Sequence, residues 1–152
     1  MNSLLLIAGG GFLAAVLWFD LMFDVQALGV APDADAIASI MAYYRRVTTE
    51  AAPMGHLVAA VMATTLVAGV LDVARARNRR ALRILALLLA AAPITLALVR
   101  VFPNAVALGL ASGAGPEQVV LARAILRDHL FCFACILGFL VLRFDLALRA
   151  GR

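Results

Sequence analysis

The sequence predicts an all-α protein, a polytopic four-transmembrane-helix bundle with a short interfacial helix on its outer side. Three observations predict it. Of 152 residues, 65% are hydrophobic and 14% charged; the mean hydropathy is +1.03; and the apolar residues fall into four long runs. A soluble domain carries about 45–50% apolar and about 25% charged residues, so an unusually greasy soluble core is a poor explanation. Runs of about 20 apolar residues match a hydrocarbon core about 30 Å thick. The length allows one domain, 1–152.

The first span covers about 3–28. No basic stretch precedes it, and Trp18, Asp20 and Asp24 stand where a signal peptide would need a small-residue cleavage site, so it reads as a retained span. After Pro32, Asp33 or Asp35 can cap a helix. Ile37, Ile40, Met41, Tyr44 and Val47 follow at helical spacing, which predicts an amphipathic interfacial helix over 35–49. Tyr43, Arg45, Arg46 and Glu50 extend its polar surface, and the Tyr-Tyr-Arg-Arg run offers a grip on lipid phosphate.

The second span covers 53–73, with Pro53 suited to a first helical turn. The third covers 81–102, with Pro93 placed to kink it. Gly109 to Gly115 reads as a loop, so the Gly109/Gly113 spacing is no helix-pairing motif. The fourth span covers 127–148, and Pro116-Glu117 is a good start for an earlier beginning.

All thirteen basic residues are arginines. Arg75, Arg77, Arg79, Arg80 and Arg83 crowd the link between spans two and three, and Arg149 and Arg152 follow span four. Four spans put both regions on one side, which the arginine excess predicts to be cytoplasmic. The expected location is the inner (plasma) membrane, multi-pass, with both termini inside. The expected surroundings are membrane lipids, with a homo-oligomer or a larger membrane complex as open alternatives. No basic face with interleaved aromatics points to nucleic acid.

This topology gathers polar residues at the outer end. Asp20, Asp24, His56, Arg100, Asp128 and His129 form the candidate ligand- or proton-binding set, with Asn104 and Arg127 beside it. A charge at a span's centre costs about 2.5–3.5 kcal/mol by insertion scales, so these groups should face inward and pair. Asp20 and Asp24, one helical turn apart, repel unless a proton, cation or arginine intervenes.

Several chemistries fit. A transporter, or ion- or proton-coupled binding of a small or lipophilic ligand in an outward-facing polar pocket, is the leading expectation. A membrane-embedded oxidoreductase is the second, with a divalent metal on Asp20, Asp24, His56 and His129, or a haem between the two histidines. An accessory subunit whose polar network only fixes helix order is the third. The Cys132/Cys135 pair reads either as a redox CxxC or, more plainly, as small buried residues packing in a helix.

Overall fold

The computed structural model describes residues 2–29 and 32–150; Arg152, counted above in the tail, lies outside them. They are 90% helical with no strand. Helices α1 (Asn2–Asp24), α2 (Ala34–Arg45), α3 (Ala52–Ala74), α4 (Arg80–Leu96), α5 (Phe102–Leu110) and α6 (Pro116–Ala150) succeed one another. A 3-10 turn (Val25–Ala27) and two π segments (Arg46–Glu50 and Ala97–Val101) complete them. Four helical stretches, Ser3–Ala27, Pro53–Ala74, Arg80–Leu110 and Pro116–Arg149, are long and apolar enough to cross a membrane.

The four spans form a ring. Each packs against its sequence neighbour, and α6 closes against α1. Three apolar layers fill the interior. Leu6, Ala68, Ala86, Ala90 and Phe139 lie nearest the end that carries both termini, and Leu13, Ile94 and Ile136 lie in the middle. Ile37, Ile40, Met41, Leu108 and Ile125 lie in the layer at the opposite end, under α2. α2 covers this opposite end, the lid end.

α2 sits where its spacing placed it. Asp33 caps it by accepting from the Asp35 amide at 3.4 Å, and Ile37, Ile40, Met41 and Tyr44 are its buried residues. α2 rests on α5, so its apolar face is turned toward the bundle. Gly109 belongs to α5, not to a loop, and it is what lets the two helices meet. A Cβ there would stand 2.7 Å from the Arg45 amide nitrogen. Arg45 then donates to the Gly109 carbonyl at 3.0 Å and the Ala111 carbonyl at 3.4 Å, which satisfies carbonyls at the exposed end of α5.

The third span is longer than its predicted 81–102, running through Pro93 and Pro103 to Leu110. Pro93 is tolerated inside α4, and its carbonyl takes a weak hydrogen bond from the Cys132 thiol at 3.6 Å. Pro103 opens α5 directly after the π segment, where the regular ladder is already interrupted and a missing N–H costs little. α6 takes the earlier of its two expected starts. With 35 residues it extends about 52 Å, well beyond the hydrocarbon core. Gly10 allows α1 to approach α6, since a Cβ there would lie 2.7 Å from the Phe139 ring.

Candidate functional site

Two charged clusters punctuate the bundle. The first lies at the lid end and holds most of the residues the sequence singled out. Asp24, at the end of α1, is fully buried. One of its oxygens accepts from the Tyr44 hydroxyl at 2.6 Å, and the other meets His129 Nδ1 at 2.6 Å. Asp20, one turn earlier, accepts from the Tyr43 hydroxyl at 2.5 Å and faces His129 Nε2 at 3.8 Å. The imidazole of α6 therefore stands between two carboxylates of α1, and each carboxylate is roofed by a hydroxyl from α2. Phe23 stacks on Tyr43 with ring centroids 4.1 Å apart, and Tyr44 meets Tyr43 edge-on at 5.2 Å.

The tyrosines thus point inward. They are not the lipid-facing anchors that the Tyr-Tyr-Arg-Arg run suggested, because two buried carboxylates need donors and the hydroxyls supply them. Arg45 is drawn to α5, and Arg46 pairs with Glu50, at 3.7 Å on the surface. α2 covers the polar groups, as expected of the 35–49 helix, with its two hydroxyls on the acids. Recesses lie elsewhere: about 250 Å³ between α2 and Ala111–Ala114, and about 500 Å³ at the opposite end.

Asp128 and His129 diverge, as their quarter-turn offset on α6 requires. Asp128 pairs with Arg100 at 3.2 Å and with exposed Arg127 at 3.7 Å. The Arg100 contact is an ion pair without hydrogen-bond geometry, so the buried Oδ2 of Asp128 keeps no hydrogen bond. The π segment carries Arg100. Asn104 is half-buried just beyond it.

His56 does not join. It stands exposed on α3, while His129 is 5% exposed and has its nitrogens turned to Asp24 and Asp20. The expected metal set of Asp20, Asp24, His56 and His129 loses a ligand, and no histidine pair is left for haem. Among the described residues, no group of three or more His, Cys, Asp or Glu side chains is placed to hold a metal ion. The reason is helical phase. Thr65 and Asp72 lie on the buried face of α3, and nine residues at about 100° each turn His56 half a revolution away from Thr65. Cys132 and Cys135 are free thiols, the first buried and the second half-buried.

Alkaline titration can read the roof directly. Burial first, then the Asp20 carboxylate, push the Tyr43 hydroxyl well above the ordinary phenol value. Burial and Asp24 do the same to Tyr44. An acid whose folded pKa is raised contributes stability that is present below its unfolded pKa, about 10, and lost as pH climbs above it. The chain has two tyrosines, so tyrosinate absorbance reports these alone. No tyrosinate is expected in folded protein at about pH 10–11, and its appearance should coincide with loss of helicity. Ionisation near pH 10 with the helices intact would contradict the buried roof.

The second cluster was not foreseen. Asp72 of α3 receives an ion pair from Arg83 of α4 and another, at 2.6 Å, from Arg143 of α6. Arg143 is 3% exposed, and the Nε atoms of both arginines are buried without a hydrogen-bond partner. Fourteen residues of α6 separate Arg143 from His129, a rise of about 21 Å. Arg123, also unforeseen, reaches from α6 to the Ala27 and Gly29 carbonyls at 3.3 and 2.5 Å and ties down the chain leading into α2.

No protein-family model matches this sequence, and comparison with curated proteins and with solved structures finds no significant similarity.

Proposed function

We propose that the protein is a membrane carrier, or ion-coupled binding protein, whose proton- and ligand-binding site is the Asp20–Asp24–His129 cluster, with α2 as its lid. The observation that supports this reading is the placement of His129 between two carboxylates roofed by the two tyrosines of α2. Two carboxylates and one imidazole in buried space share their protons as a unit, so an arriving proton or cation alters several contacts at once. Two of the contacts it alters, the hydrogen bonds from Tyr43 and Tyr44, help to hold α2. Because α2 does not span, it can lift without dragging a helix through lipid. In this reading the arginine-rich 75–83 link faces the cytoplasm, the lid faces outward, and the membrane is the inner (plasma) membrane. The exposed position of His56 takes support from the alternative of a metal- or haem-dependent oxidoreductase.

The test is charge movement in liposomes. Wild-type protein, challenged with a panel of lipophilic amines and small carboxylates under an imposed proton gradient, should give a transient current with at least one class. His129→Gln should remove that current while the protein remains monodisperse and helical. Undiminished current in His129→Gln, or none from wild type across the panel, would count against the carrier reading.

A further inference from the structure

The cluster at the terminus end carries more positive charge than it can neutralise. Asp72 offers one negative charge to two guanidiniums, Arg83 and Arg143, each held through a single N–H. Both Nε atoms are buried and lack an acceptor. A surplus cation in low-dielectric surroundings is costly unless a counter-charge stands near it. The neighbouring acid does not supply one, because Asp145 is taken by Arg149 at 2.6 Å.

At the same end of the bundle lies the recess of about 500 Å³, lined by Arg79, Asp145, Leu148 and Arg149. It joins the start of α4 to the end of α6. Arg83 follows Arg79 by one turn and is about a quarter exposed, whereas Arg143 lies on the face of α6 turned away from Asp145, Leu148 and Arg149. The lining has a surplus of one positive charge, and the buried cluster at the same end of the bundle has another. Arg79 holds a left-handed backbone, φ 56°, which costs a non-glycine residue stability and fixes where its side chain leaves the chain.

We propose that this recess binds the phosphate of an anionic phospholipid, with Arg79 and Arg149 as its direct donors and the surplus positive charge at this end of the bundle as a longer-range attraction. A phosphate offers acceptors that match guanidinium forks. The recess opens beside the ends of spanning helices, where headgroups of the adjacent leaflet reside, and basic recesses between helices at that level suit such headgroups. This inference is independent of the carrier reading and concerns the opposite end of the bundle.

Thermal unfolding of delipidated, detergent-purified full-length protein tests it. Phosphatidylglycerol should raise the midpoint by on the order of 5 °C, and phosphatidylcholine should not. The double variant Arg79→Gln/Arg149→Gln leaves Asp72, Arg83 and Arg143 in place, so it should fold, start from a similar midpoint and lose the increment. Arg46→Gln, at the lid end, should keep it. Equal shifts from both lipids, or a full increment in the double variant, would overturn the site. An equal shift from inorganic phosphate would make a soluble anion the occupant and overturn the lipid assignment.

Discussion

Asp72→Ala is expected to be the most damaging of the single substitutions considered, lowering the thermal midpoint in detergent by on the order of 10 °C. The alanine leaves Arg143, 3% exposed, and its half-buried neighbour Arg83 with no carboxylate between them. Removing one partner of a buried pair costs about 3–5 kcal/mol, because the charge left behind has lost both its water and its counter-ion. Here the removal strands two like charges. Arg143→Met acts in the opposite sense. It deletes the surplus cation, leaves Asp72 and Arg83 as a matched pair, and replaces a guanidinium by an apolar chain that fits the surrounding core. Its cost should be small. The ordering is the test: a melt in which Arg143→Met is the worse variant would contradict the charge surplus assigned to this cluster.

The second large effect belongs to Asp24→Asn. The carboxylate accepts on both oxygens, from Tyr44 and from His129. An amide can accept on one only and turns a donor toward the other partner. Hydrogen bonds to a charged group contribute about 1.5–3 kcal/mol, against about 1 for neutral ones. Amide exchange across α2 should therefore accelerate by roughly 10- to 100-fold, with the four spans still protected. Tyr44→Phe, which removes the roof and keeps the charge, should give a smaller acceleration. Unchanged α2 protection in both variants would mean that the lid is held by its apolar face alone and that the acids do not govern it.

Much of this could be read in advance. The four spans were legible because apolar runs of that length have no soluble alternative, and α2 was legible because Ile37, Ile40, Met41 and Tyr44 repeat at the spacing of one helical face. The lid-end cluster followed from topology, which put Asp20, Asp24, Asp128 and His129 at one depth. What failed was angle. Depth alone admitted His56, although its phase relative to Thr65 already turned it outward. Depth also left Tyr43 and Tyr44 outside the candidate set, since hydroxyls beside arginines resemble surface anchors until their acids are located.

The Asp72–Arg83–Arg143 cluster was hidden for another reason. Arg83 was absorbed into the arginine-rich link, while Asp72 and Arg143 are 71 positions apart and each is easily assigned to a span end. The available signal was that Asp72 is the one acid in its apolar run and Arg143 is a base within another. Isolated opposite charges at one depth seek each other. The continuation of span three through Pro103 had no such signal, because proline and glycine ordinarily mark breaks and here fall at a π segment and a helix crossing.

The length of α6 sets two solvents for one bundle. If the hydrocarbon core is centred between the two charged clusters, it passes each by about 4–5 Å, and on the order of 15 Å of α6 stands beyond it at the lid end. The layer formed by Ile37, Ile40, Leu108 and Ile125 then lies near water and is held by the hydrophobic effect, which weakens on cooling and in urea. The layers below it lie among lipid tails, where helices associate by close packing instead. Cold and mild denaturant should therefore release the lid end first and leave the embedded ring assembled, a partition of stability along the membrane normal within a single continuous helix.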